Sequence, residues 1–214
     1  MSTAGILAAV DFHPRPSDSP GIFDSLGDRS LLSWSFDTLW EASCRPIVVV
    51  APQAYIAAVK RELGPATVVE STGLKRTTML DVLALIATER VVMLDFRHPL
   101  AASEDVRATV EALDGADASI GAIPVTETLK RVAEGVIVGT LDRTEMWHQV
   151  MPQAFRVGAL RAAYQRAGGE LTDDVRAIKE SGARVKVVPV GQRNVAVNSR
   201  ADLEVARALL GRPA

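Results

Sequence analysis

A single cysteine, Cys44, leaves this chain unable to form an intramolecular disulfide, which fits a reducing compartment. An isolated thiol of this kind is expected to be buried and inert. Histidine is scarce too: His13, His98 and His148 are scattered and no Cys/His zinc spacing is present, so no metal cluster is expected from these residue types. Charge of one sign is missing, with 24 basic against 26 acidic residues and a formal net charge of -2, so total charge predicts neither nucleic-acid nor membrane partners. Long hydrophobic runs are missing as well. The apolar start, Gly5 to Val10, has no basic flank and is closed by Asp11, which is too short for a signal core or a membrane span. A cytoplasmic protein is expected.

What is present is an alternation. Short runs rich in β-branched residues, Gly5 to Val10, Pro46 to Ala51, Thr67 to Glu70, Arg90 to Leu94 and Ala118 to Ile123, read as strands buried on both faces. Between them Ser30 to Ala42, Pro52 to Leu63, Arg76 to Thr88 and Ser103 to Leu113 carry apolar residues at helical spacing, with Ser30 and Ser103 as expected N-caps. This is the pattern of an α/β fold, a mostly parallel sheet flanked by helices. After Pro124 the rhythm changes. Val125 to Val132 and Val136 to Leu141 are extended runs joined near Glu134-Gly135, a β-hairpin arm spanning about residues 125–141. Helices are expected again over Gly158 to Ala167, Asp173 to Ser181 and Arg200 to Leu210, with a strand at Arg184 to Pro189 and an extended piece at Val195 to Val197. With no linker or repeat, residues 1–214 are expected to form one domain.

In such sheets ligands bind beyond the carboxyl ends of the strands, so the loops after Val10, Glu70, Leu94 and Ile123 are the ones to watch. The segment Asp11 to Asp28, with Pro14, Pro16, Pro20, Gly21 and Gly27, is long for a βα connection, and unusual length there points to function or disorder.

Four segments in a fixed order carry a family resemblance. They are Pro124-Val125-Thr126-Glu127-Thr128-Leu129-Lys130, Thr140-Leu141-Asp142-Arg143 with Met146-Trp147 and Pro152-Gln153-Ala154-Phe155, Leu171-Thr172-Asp173-Asp174, and Gly191 with Asn194 ahead of Asp202-Leu203. Together they are similar to the motifs of the methylerythritol phosphate cytidylyltransferase (IspD) family. The resemblance implies a single Rossmann-like nucleotidyltransferase domain and a homodimer formed through the hairpin arm. It also implies a site that joins CTP to methylerythritol phosphate with Mg2+, releasing pyrophosphate. Carried over residue by residue, it places Ala8, Ala9, Lys75, Thr78 and Asp95 at the nucleotide, Asp95 at the metal, and Thr128 and Arg143 at the phosphorylated alcohol.

The departures fall on the charged groups of that reaction. Where the family's first loop has two glycines, an arginine and a Pro-Lys pair, this chain has Val10, Phe12, Pro14 and Pro20-Gly21. Glycine lets backbone N–H groups approach a phosphate, whereas side chains obstruct that approach and proline has no N–H to donate. A charge-assisted hydrogen bond to a phosphate contributes ~1.5–3 kcal/mol, so each one missing from this loop weakens the grip by that amount. Ala196 stands where a lysine is expected, and Met151 where a threonine is expected. Arg15 and Arg29 are candidate compensating cations. Two readings follow: a protein of this family whose transfer reaction is impaired or lost, leaving a regulatory or nucleotide-binding dimer, or an active nucleotidyltransferase with altered substrate. Trp34, Trp147 and Phe155 read as core rather than as a base-stacking platform. Asp173 and Asp174 read as a helix start.

Overall fold

The computed structural model describes residues 2–12, 16–64, 66–168, 171 and 173–211. Seven strands make its central sheet: β1 (Thr3–Ala8), β4 (Ile47–Ala51), β5 (Thr67–Glu70), β6 (Arg90–Asp95), β7 (Ala118–Pro124), β10 (Trp147–Arg156) and β11 (Val185–Pro189). Their order across the sheet is β11-β7-β10-β6-β1-β4-β5. β1 pairs parallel with β4 and β6, β4 with β5, and β11 with β7, while β10 runs antiparallel between β6 and β7. The mostly parallel, helix-covered sheet is the one the alternation of short apolar runs requires.

Both faces are buried because successive side chains of each strand point to opposite sides. In β1, Leu7 joins one core with Leu31, Leu39, Val49, Leu94 and Leu203, beneath α1 (Leu31–Glu41), α2 (Ile56–Leu63), α4 (Ser103–Glu111) and α7 (Arg200–Leu210). Ile6 joins the other core with Val50, Met79, Met93, Phe155 and Tyr164, beneath α3 (Lys75–Ala84), α5 (Val157–Arg166) and α6 (Asp174–Lys179). Burying each such aliphatic or aromatic side chain contributes roughly 1.5–3 kcal/mol before the chain's entropy loss is counted.

Local chemistry sets the element ends. Ser30 caps α1 by accepting from Ser33 N–H at 3.0 Å. Ser199 and Asp202 form a reciprocal capping box at α7. Ser103, expected as a cap, is instead the first residue of α4, and the cap position falls to Ala102, which has no side-chain acceptor. The segment between β1 and α1 contains a two-stranded ribbon, β2 (Ser25–Leu26) with β3 (Arg29–Ser30). The extended piece expected at Val195 to Val197 is not a strand, although Val197 N–H donates to the Arg97 carbonyl at 2.8 Å.

The arm is shorter than its sequence pattern, with β8 (Lys130–Ala133) pairing antiparallel with β9 (Val136–Thr140). Its turn is where the sequence places it: Glu134 and Gly135 both have positive φ, 51° and 78°, as a tight two-residue hairpin needs. β10 is the strand the periodicity did not reveal. Its register shifts between Val150 and Gln153, so the bulged strand re-aims its side chains beside the loop ends. Gly121 of β7 faces that irregularity, and a Cβ there would lie 3.1 Å from the Met151 carbonyl oxygen. Trp147, expected in the core, is 40% exposed at the start of β10, while Phe155 in the same strand is fully buried. No helix among the described residues is long and apolar enough to cross a membrane.

Candidate functional site

The carboxyl ends of β1 and β6 lie side by side, with Ala8 opposite Asp95, and open into a cavity of about 190 Å³. Lys75 at the start of α3, Asp95 at the end of β6 and Arg97 just after it, Gln153 of β10, and Asp173 and Asp174 at the cap and first residue of α6 line it, with Val10 and Phe12 on its wall. Sequence reasoning places Ala8, Lys75 and Asp95 together, and the fold brings all of them to this cavity.

Every charged group lining the cavity already has a partner. Asp95 is 4% exposed, and its Oδ1 accepts from the Arg97 backbone N–H and from Arg97 Nε, both at 2.8 Å. Its Oδ2 accepts from Arg97 Nη2, completing a two-pronged carboxylate–guanidinium pair. Arg97 Nη1 also lies 3.7 Å from Asp11 Oδ1. The hydrogen bond to Asp95, opposed by burial and aided by the charges of Asp95 and Asp11, raises the Arg97 pKa above the ordinary arginine value. Across the cavity Lys75 Nζ lies 2.8 Å from Asp174 Oδ2, whose other oxygen accepts from the buried Tyr164 hydroxyl at 2.7 Å. Burial first, and then the Asp174 charge, push the Tyr164 pKa well up, so the phenol remains a donor. Asp173 Oδ1 caps α6 through the N–H groups of Val175 and Arg176.

The expectation for the two aspartates is therefore half met: Asp173 starts the helix, but Asp174 turns inward and holds Lys75 and Tyr164. Sequence reasoning missed the Lys75–Asp174–Tyr164 unit. The signal for it was a pair of adjacent carboxylates of which only one can serve as the cap.

Thr78 is fully buried, its Oγ1 accepting from Thr72 N–H at 3.0 Å, which closes the turn ahead of α3. Ala9 N–H donates to the Val50 carbonyl at 2.9 Å and so belongs to the sheet ladder. Arg29 pairs with Asp37 and lies 4.9 Å over the Trp34 ring, away from the cavity. Thr128 and Arg143 are exposed on the arm, where Arg143 donates to the Thr126 carbonyl. Arg15 lies outside the described residues.

Beneath the first loop is a second cavity of about 330 Å³. Its charged lining consists, among the described residues, of the carboxylates Asp11 and Asp24, and no lysine or arginine among them faces it. Both carboxylates are themselves held within the chain, Asp24 by Arg200 at 2.9 Å and Asp11 by Arg97 at 3.7 Å. Mg2+ is ordinarily held by one or two carboxylates together with substrate phosphates, and here both oxygens of Asp95 already accept from Arg97, so this carboxylate does not fit that ion in the present arrangement.

The bulge that frames the cavity is tied from behind. Asn194 Nδ2 donates to the Met151 carbonyl, and its Oδ1 lies 3.0 Å from His98 Nδ1, which must therefore carry the proton. Burial lowers the His98 pKa, keeping the ring neutral in that role. Cys44 is buried as expected, its thiol pushed up to about 11 by desolvation, and takes no part in the site.

The family model for 2-C-methyl-D-erythritol 4-phosphate cytidylyltransferase matches residues 6–212. The enzyme of that name from Cereibacter sphaeroides is 30% identical over 98% of this chain and 97% of its own length. The one from Prochlorococcus marinus is 31% identical over 96% of each. Among solved structures, 4-diphosphocytidyl-2C-methyl-D-erythritol synthase from Anaerococcus prevotii superposes with a TM-score of 0.86 at 22% identity, covering 99% of both chains. The cytidylyltransferase from Thermus thermophilus gives 0.79 at 20% identity over 98% of this chain and 99% of that one. With a family match over nearly its whole length and relatives about 30% identical across it, the chain belongs to the 2-C-methyl-D-erythritol 4-phosphate cytidylyltransferase family.

Proposed function

We propose that this chain keeps the cytidylyltransferase scaffold but that its transfer of a cytidylyl group from CTP to methylerythritol phosphate is impaired or lost. The observation that carries this reading is that Lys75 and Arg97, the cations lining the strand-end cavity, are each neutralised by an aspartate of the same chain. Transfer needs positive groups aimed at the triphosphate and at the charge that develops on the α-phosphorus. Here a phosphate competing for Lys75 has to displace Asp174, and one competing for Arg97 has to displace Asp95. Breaking either pair strands a carboxylate that is almost fully buried. Val10 and Phe12 reinforce this by placing side chains where a phosphate-binding loop presents bare backbone.

The arm fits a second part of the reading, a homodimer. Val132, Val136, Ile137 and Val138 are each more than half exposed on this hairpin, an apolar surface that a partner copy would cover. Thr128 and Arg143 then lie where one arm reaches toward the other copy's cavity. On this reading the dimer serves as a regulatory or ligand-binding member of a CTP-using, metal-dependent family.

Pyrophosphate release with CTP, methylerythritol phosphate and Mg2+ tests the proposal. A rate indistinguishable from the protein-free control is expected. Turnover on the order of 1 per second or more, the ordinary range for enzymes, would overturn it.

A further inference from the structure

The cavity beneath the first loop has walls that are tied in place. Leu31 and Leu32 N–H donate to the Asp24 and Ile22 carbonyls, both at 3.0 Å, and Trp34 Nε1 donates to the Leu26 carbonyl at 2.8 Å, which fastens the loop to α1. Arg207 Nη2 donates to the Ser25 carbonyl at 3.1 Å, which fastens it to α7. Asp24 Oδ2 accepts from Gly21 N–H and from Arg200 Nη1, each at 2.9 Å. A loop held at this many points encloses a standing cavity, and about 330 Å³ is the size of a small-molecule site.

The lining decides what would enter. Its floor is apolar, with Ile22 and Phe96 buried. At its mouth stand Phe23 and Tyr55, 37% and 46% exposed, their ring centroids 5.7 Å apart and their planes at 85°. In an edge-to-face pair one ring's face stays uncovered by the other ring, and aromatic faces attract cations. The charged lining has one sign: Asp11 and Asp24 line the cavity, while Arg200, the partner of Asp24, is more than half exposed and does not. Among the described residues both partners of Asp24 use Oδ2, which leaves Oδ1 able to accept. We infer that this cavity binds a small organic cation, a primary ammonium group on an apolar body. Its N–H donates to Asp24 Oδ1, its charge lies against the Phe23 and Tyr55 rings, and its apolar part covers Ile22 and Phe96. This goes beyond the functional reading above, which concerns the strand-end cavity, and the two stand or fall separately.

The test compares probes of one shape and different charge: phenethylamine, 2-phenylethanol and phenylacetate. Each is titrated near neutral pH into the full-length protein carrying 13C-labelled isoleucine methyl groups. The readout is the Ile22 methyl signal, identified by its absence from Ile22→Val, so that binding elsewhere on the surface does not count. Saturable movement of this signal by phenethylamine is expected, with 2-phenylethanol about tenfold weaker and phenylacetate silent, because both lack the charge that the carboxylate and the rings attract. Asp24→Asn and Tyr55→Leu each weaken the amine about tenfold on the same grounds. The inference is overturned if phenethylamine does not saturate, which makes the Phe23–Tyr55 pair a loop contact only. It is overturned equally if 2-phenylethanol binds as tightly, which makes the cavity an apolar site without charge recognition, if phenylacetate binds best, or if both variants bind unchanged. Should Asp24→Asn loosen the loop, Tyr55→Leu, which lies outside it, and the ranking of the probes on the unsubstituted protein still decide the matter. Pyrophosphate release from CTP overturns the functional proposal and leaves this inference standing, whereas silence from phenethylamine overturns only this inference.

Discussion

At the carboxyl ends of β1 and β6, Lys75, Asp95, Arg97, Asp173 and Asp174 all find partners inside their own chain. Along the β8–β9 arm, by contrast, nearly every residue is exposed and the apolar side chains of Val136, Ile137 and Val138 face solvent. The two regions come from the same family scaffold, but one has closed its interactions internally and the other has left them open. Charges satisfied within a fold act as structure, and removing one destabilises the protein. Surface left open has little to do with the stability of a single chain and is available to something outside it.

The largest expected effect comes from breaking the closed region at its most buried point. Asp174→Ala removes the acceptor of both Lys75 and Tyr164 and is expected to lower the unfolding free energy by about 3–5 kcal/mol, read from urea denaturation. A loss under about 1 kcal/mol would show that the unit is not structural. Arg97→Ala leaves the almost fully buried Asp95 carboxylate without its guanidinium and should cost about 1.5–3 kcal/mol by the same measurement, less because Arg97 is itself partly exposed.

The tie behind the bulge gives a smaller, pH-dependent effect. Burial lowers the His98 pKa below its usual 6.5, so on acidification the unfolded chain takes up a proton before the folded one does. The His98 contribution is therefore complete above about pH 6.5 and falls as the pH drops below it. The slope of stability against pH between 6.5 and 5 should be shallower in His98→Gln than in the unsubstituted protein. The smallest effect on stability belongs to the open region. Ile137→Asp is expected to change the unfolding free energy of the single chain by no more than about 0.5 kcal/mol, yet to convert a dimer to a monomer in sedimentation. A monomer before substitution would contradict the role given to the arm.

Much of the scaffold was legible in the sequence because its signals are local. Runs such as Ile47–Ala51 have the length and branching of strands buried on both faces, and Glu134-Gly135 has the conformational freedom a tight hairpin turn demands. β10 was not legible, because its bulge breaks the two-residue period and its exposed start mixes polar and aromatic residues. Of the candidate positions, Ala8, Lys75 and Asp95 share one cavity, but their pairings were not legible. That Asp95 and Lys75 reach one cavity follows from where their loops leave the sheet, but their partners depend on residues distant in sequence or on side-chain geometry. Asp174 meets Lys75 across the fold, and Arg97 curls back onto Asp95 through a turn that no pattern of residue types specifies. Arg29 shows the same limit in reverse, since a cation attractive in sequence is held by Asp37 and Trp34.

The central claim is that internal pairing has taken the site's cations away from a triphosphate, and calorimetric titration of the protein with CTP in the presence of Mg2+ tests it most directly. The account predicts no saturable heat at CTP concentrations up to about 1 mM, a binding free energy weaker than roughly -4 kcal/mol. Saturable binding in the micromolar range would mean that Lys75 and Arg97 exchange their aspartates for phosphate, and would contradict it.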